Sequence, residues 1–279
     1  MFVIPPVRYI LPNLFTLAAT LCGFGVLAIC TAEPEANSFY LACCLIPLAC
    51  FLDGMDGRVA RLVHGESEFG VQFDSLSDFA TFGMAPAVLI YTWALHPLGS
   101  VGVVISFLFA AASMTRLARF NVQSAASTGP GRYFTGLPAP MGGMAVASIV
   151  ALETGVLHRD VSSDASRPAI AVLVVLVSLL MVSTVRFRTF KDVRFTSRNR
   201  MLIVTFLASL AFMSVFYDPM FALSTALVGY LSSGLLGSMF TLAWRTRPAG
   251  GNLTHQLFDG HDDDEDDEHH DDDDPHMLA

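Results

Sequence analysis

The sequence predicts an all-α, polytopic membrane bundle of about eight transmembrane helices with both termini cytoplasmic, and three observations carry that expectation. Hydrophobic residues fill 53% of the 279 positions and charged ones only 15%, a composition more apolar than that of soluble globular domains. The apolar residues are gathered into runs of bilayer-crossing length. The basic residues fall in every second connection between those runs, as the positive-inside rule requires.

A transmembrane helix needs roughly 20 mostly apolar residues. Runs of this kind occur at 12–31, 39–62, 71–95, 101–119, 137–152, 168–185, 201–217 and 220–244. The tight connection at Asp218 and Pro219 leaves seven or nine spans open. Arg8, Arg58, Arg61, Arg116, Arg119, Arg132, the basic stretch 186–200, Arg245 and Arg247 lie in one set of connections, and of the 16 Lys and Arg only Arg159 and Arg167 lie in the other. That alternation orients the chain and favours an even number of spans. It also makes residues 1–250 one integral membrane domain, with a catalytic hairpin expected at 39–95 that carries all four buried acids.

The net charge of −9 comes from the C-terminal end, where residues 259–274 hold 12 acidic side chains and no Lys or Arg. Residues 251–279 are expected to form a disordered acidic tail in the cytoplasm, since they have nothing to bury. Without them the body is mildly basic and suits an anionic lipid surface. The five cysteines, Cys22, Cys30, Cys43, Cys44 and Cys50, show no metal-ligand spacing and read as small apolar packing residues. The N-terminal stretch has no small-residue cleavage site and is expected to stay. No internal repeat and no soluble domain is visible.

The unusual feature is a set of four carboxylates between apolar runs. Asp53 and Asp56 are three apart and Asp74 and Asp78 four apart, so on helices each pair shares a face. Residues 39–52 are 14 apolar positions, about 21 Å of helix against a hydrocarbon core of roughly 30 Å, which sets Asp53 below the cytoplasmic surface. Residues 64–67, His-Gly-Glu-Ser, are a polar turn that folds the second and third spans into a hairpin and faces one acid pair toward the other. Four like charges so close destabilise the fold unless cations neutralise them, and hard divalent cations prefer oxygen ligands.

The full spacing is Asp53-x2-Asp56-Gly57-x2-Ala60-Arg61-x8-Gly70-x3-Asp74-x3-Asp78. It resembles the signature of the CDP-alcohol phosphotransferase family at all eight fixed positions. Further stretches, at 12–16 (PNLFT), 73–79 (FDSLSDF), 83–86 (GMAP), 116–121 (RLARFN) and 134–140 (FTGLPAP), resemble the branch that makes phosphatidylserine. The resemblance covers residues 12–140, about half of the chain. It implies a phospholipid-synthesis enzyme that transfers a phosphatidyl group from CDP-diacylglycerol to L-serine and releases CMP.

By the same resemblance, Asp53, Asp56, Asp74 and Asp78 share two Mg2+ or Mn2+ ions per active site, and Asp78 is the general base that takes the serine hydroxyl proton. Asn13, Thr16, Gly57, Ala60, Arg61, Ser67 and Gly70 shape the CDP-diacylglycerol pocket, Arg61 as a phosphate donor. A carboxylate-bearing acceptor needs a cation, and Arg116, Arg119 and Arg132 lie on the cytoplasmic side to supply it; lipid-phosphate anchoring is the competing role. Helix capping competes for Asn13 and Thr16, and a simple helix break for residues 134–140. His64 has no partner at fixed spacing and reads as a loop residue. The sequon at Asn252 falls on the cytoplasmic side and is discounted.

The expected partners are CDP-diacylglycerol, L-serine and membrane lipid, with no nucleic acid. Related enzymes imply a homodimer, and the expected location is a bacterial or archaeal cytoplasmic membrane with the site facing the cytoplasm. Two alternatives stay open: another acceptor (glycerol 3-phosphate, inositol phosphate or choline), and a cation transporter with aspartates lining an ion path.

Overall fold

A computed structural model describes residues 7–32, 36–126, 133–156, 165–183, 186–188, 222 and 224–226. Among them, four helices are long and apolar enough to cross a membrane, at Tyr9–Thr31, Asn37–Leu62, Glu68–Leu98 and Ser100–Ser124. These correspond to the first four expected spans, and with this apolar surface the chain is an integral membrane protein. The fifth and sixth are shorter helices, and the expected spans at 201–217 and 220–244, like the acidic tail, lie almost wholly outside the described residues.

Helix α1 (Val7–Thr31) contains Pro12 in its second turn, where one i→i−4 bond is lost, and packs along α2 (Ala36–Leu62). Its two faces differ as a membrane helix at a protein surface should. Leu14, Leu17, Leu21 and Phe24 point outward at spacings of three and four, whereas Thr16, Ala19, Val26 and Cys30 are buried. The exposed stripe is the lipid face, since hydrocarbon is as good a solvent for leucine as the bundle interior. All five cysteines are free thiols, Cys30 and Cys43 fully buried.

The link from α2 to α3 (Glu68–Asp78) is tighter than its composition suggests. His64 takes a φ of 50°, and Gly65 N–H bonds Ala60 O at 2.9 Å while His64 N–H bonds Arg61 O at 3.4 Å. This pair of bonds closes the end of α2 as a Schellman motif, with His64 and not Gly65 in the left-handed position. Ser67 then caps α3 by accepting from Gly70 N–H at 3.0 Å.

Helix α3 does not end at Asp78. It continues through a π-helical stretch (Phe79–Met84), α4 (Ala85–Ile90), a second π-helical stretch (Tyr91–Leu95) and a 3-10 turn (His96–Leu98). Glycines let the neighbours close on this rod. A Cβ on Gly23 of α1 would stand 2.8 Å from Thr81 Cα, and one on Gly143 would stand 3.2 Å from Phe82 O. Phe82, Leu89, Ile90, Trp93 and Leu95 are fully buried as a result.

One boundary needs correction. The fourth span does not stop at Arg119: α5 is Ser100–Ala126, so Arg116 and Arg119 sit within the helix and not at its end. Beside the helices, the described residues hold one short ladder, in which β1 (Tyr133–Thr135) pairs antiparallel with β2 (Arg186–Arg188), Phe134 opposite Phe187. Both strands centre on a phenylalanine, which suits paired extended chain, but the partners are too far apart in sequence for local pattern to reveal them. The helices at the fifth and sixth expected runs follow those runs closely. After Pro138, α6 (Ala139–Ala151) runs on as a π-helical stretch (Leu152–Val156), and α7 (Arg167–Val182) has 16 residues, about 24 Å of helix.

Candidate functional site

The hairpin of α2 and α3 brings the acid pairs together. One carboxylate oxygen each from Asp53, Asp56 and Asp74 lie within 4.8 Å of one another. Asp78, one turn beyond Asp74, stands beside Asp53. Asp56 is buried and the other three half-buried, inside helices apolar enough to span a membrane.

Two of the carboxylate oxygens, Asp74 Oδ1 and Asp78 Oδ1, are buried without any hydrogen-bond partner. A buried carboxylate oxygen with no donor is costly. Oxygen-only donors converging from two helices, with orphaned lone pairs among them, fit hard divalent cations such as Mg2+ or Mn2+. The residues therefore suit the metal the family resemblance implies.

Beside the acids lies a cavity of about 470 Å³, lined by residues of α1, the end of α2, the turn and the start of α3. All seven residues expected for the CDP-diacylglycerol pocket, Asn13, Thr16, Gly57, Ala60, Arg61, Ser67 and Gly70, are on its wall, together with Asp56 and Asp74. Two glycines keep this space open. A Cβ on Gly57 would meet nothing nearer than Arg61 Nη1 at 3.9 Å, so it would project into the cavity; one on Gly70 would press on Ser67 Oγ at 3.1 Å and Asn13 Oδ1 at 3.6 Å.

The three arginines expected at a serine site have different surroundings. Arg116 is buried, lies near Asp78, and sets its guanidinium 5.5 Å from the Phe120 ring centroid. Arg119 donates to Val182 O at 2.8 Å and Ser183 O at 3.4 Å, closing the C-terminal end of α7. Arg132 lies outside the described residues.

Several polar side chains around the acids make contacts that the sequence did not indicate. Thr16 Oγ donates to Asp56 Oδ2 at 2.7 Å. Thr20 pairs with Ser77 at 2.6 Å, and Ser77 donates to Thr16 O at 3.2 Å. Asn121 Nδ2 donates to Ser75 Oγ at 2.9 Å, tying α5 to the turn between Asp74 and Asp78. A visible signal was the spacing of Thr16 and Thr20, four apart in an apolar helix and facing the same way.

Comparison with known proteins finds a match to the family model described as CDP-alcohol phosphatidyltransferase over residues 9–161. A CDP-diacylglycerol–serine O-phosphatidyltransferase of Helicobacter pylori is 33% identical over 234 residues, which cover 84% of this chain and 93% of that protein. A Bacillus subtilis protein of the same name is 31% identical over 182 residues, 65% of this chain and 91% of the relative. An archaetidylserine synthase of Methanothermobacter thermautotrophicus is 36% identical over 156 residues, 54% and 59% of the two chains.

Proposed function

Because the chain belongs to the CDP-alcohol phosphatidyltransferase family, we propose that it transfers the phosphatidyl group of CDP-diacylglycerol to the hydroxyl of L-serine, giving phosphatidylserine and CMP. The observation that carries this reading is the convergence of four aspartates beside a cavity lined by polar and small residues, inside helices with lipid-facing outer surfaces. The names of the H. pylori and B. subtilis relatives support serine as acceptor. Family membership sets aside the ion-path alternative.

The donor's diphosphate and cytidine occupy the cavity, with Asn13, Thr16, Gly57, Ala60, Ser67 and Gly70 as its wall. Arg61, exposed at the rim, reaches a phosphate oxygen with its guanidinium. Asp53, Asp56, Asp74 and Asp78 hold two Mg2+ or Mn2+ ions, whose chemistry is neutralisation of the diphosphate and of the charge that develops on its oxygens. Asp78 takes the proton from the serine hydroxyl as that oxygen bonds the phosphatidyl phosphorus and the bond to the CMP oxygen breaks. Arg116, near Asp78, pairs with the serine carboxylate and holds the amino acid in line.

The same reading has eight spans, both termini and the site on the cytoplasmic side of a bacterial or archaeal membrane, residues 251–279 as an acidic tail, and a homodimer. A site at that boundary lets a lipid donor meet a water-soluble acceptor. CMP release from CDP-diacylglycerol by the purified protein, with Mg2+ or Mn2+ and a panel of alcohols, tests the proposal. Release with serine, and not with glycerol 3-phosphate, inositol phosphate or choline, is expected. Release with glycerol 3-phosphate alone transfers the activity to that acceptor, and no release with any alcohol overturns it.

A further inference from the structure

We propose that Thr16 is the positioning residue of the acidic cluster: its hydroxyl orients Asp56 of α2 while its main-chain carbonyl anchors Ser77 of α3, so that α1 holds the two acid pairs in register for divalent cations. The inference rests on reading the cluster as a cation site.

A threonine hydroxyl carries one proton. Two acceptors stand near it, Asp56 Oδ2 at 2.7 Å and Pro12 O at 3.4 Å, and the shorter bond to a carboxylate takes the proton. Thr16 is 3% exposed, so water does not compete for it. The hydroxyl is thus committed to Asp56, and what Thr16 offers the donor cavity is only its wall. The bond comes from a neutral donor. It fixes the carboxylate's direction without cancelling its charge, as outer partners of metal ligands do.

The other half of the link is main-chain. Ser77 Oγ lies 2.6 Å from Thr20 Oγ and 3.2 Å from Thr16 O, and Thr20 Oγ reaches Thr16 O at 2.8 Å; two hydroxyl protons serve these three contacts, so Thr16 O holds Ser77 directly or through Thr20. Ser77 is buried and precedes Asp78. One residue of α1 therefore touches α2 through its side chain and α3 through its backbone, at the level where the acids converge. The close approach at Gly23 and Thr81, further along the same helices, keeps α1 from sliding away.

The test is Mn2+ binding to the full-length protein in detergent, followed by electron paramagnetic resonance. Wild type binds Mn2+; Thr16→Val, of nearly the same shape, binds it about 10-fold or more weakly; Thr16→Ser, which keeps the hydroxyl, restores affinity to within a factor of about three of wild type. Adding Thr16→Val to Asp56→Asn weakens binding no further, because the partner is already gone. Should Thr16→Val fail to fold, Thr16→Ala replaces it with the same expectation. Wild-type affinity in the valine or alanine variant overturns the proposal, as does a serine variant as weak as the valine one. Absence of Mn2+ binding in wild type overturns the underlying cation site instead, so the two failures are told apart.

Discussion

Replacing Asp74 with asparagine tests the electrostatics of the cluster. Its carboxylate oxygen lies within 4.8 Å of those of both Asp53 and Asp56. Two unit charges at that separation repel by about 3.5 kcal/mol at an effective dielectric near 20. Two such pairs meet at Asp74, so in metal-free protein at alkaline pH, where all three carboxyls are ionised, an uncharged isostere relieves several kcal/mol of strain. For a chain of this size each kcal/mol is roughly 2–4 °C in melting temperature. With a chelator present, Asp74→Asn is therefore expected to melt several degrees above wild type. Cation reverses the order: at 100 times its Kd a ligand adds about 2.7 kcal/mol to wild type, and the variant, short of a ligand, loses most of that gain together with turnover. A thiol-reactive dye suits the assay, because all five cysteines are free and buried or half-buried. A variant that melts no higher than wild type in chelator and gains as much from Mn2+ would refute the argument.

Other outcomes follow from single contacts. Gly23→Ala places a methyl 2.8 Å from Thr81 Cα and should cost about 1–3 kcal/mol by forcing α1 off the third span, read as a lower melting temperature; an unchanged one would mean the helices are not so close. His64→Gly removes a side chain from a φ of 50° and should leave turnover intact while raising stability by up to about 1 kcal/mol, whereas lost turnover would give His64 a chemical role. Arg116→Lys should raise the KM for serine by about tenfold, having lost a planar two-point donor. Arg119→Gln should leave that KM near wild type and lower stability by about 1 kcal/mol through the end of α7; the opposite pattern would exchange the two roles.

The acidic hairpin was legible because every part of it is local. Asp53 and Asp56, the polar turn, and Asp74 and Asp78 lie within 26 consecutive residues, and helical spacing alone turns each pair to one face. What escaped notice depends on residues far apart or on backbone detail. Thr16 and Asp56 are 40 positions apart, and nothing in either segment names the other. Arg119 looked like a basic residue at a span's end, but α5 continues past it and its guanidinium closes α7, 63 residues on. The π-helical stretches in the third span leave no compositional mark, because their widened turns answer to packing at Gly23, Gly143 and Ser113. His64 in a left-handed conformation ran against the reasonable preference for Gly65 beside it.

We propose that this membrane site joins serine to the phosphatidyl group of a CDP-linked lipid, with Asp78 receiving the proton. Isotope-labelled L-serine offered to purified protein with CDP-diacylglycerol and Mn2+ measures it most directly, by counting label in the organic phase for wild type and Asp78→Asn. Label in phosphatidylserine that depends on the nucleotide-linked donor and on the metal is expected, with none above background from the variant. Label that stays in water with wild type, or an Asp78→Asn protein that transfers as fast, would contradict it.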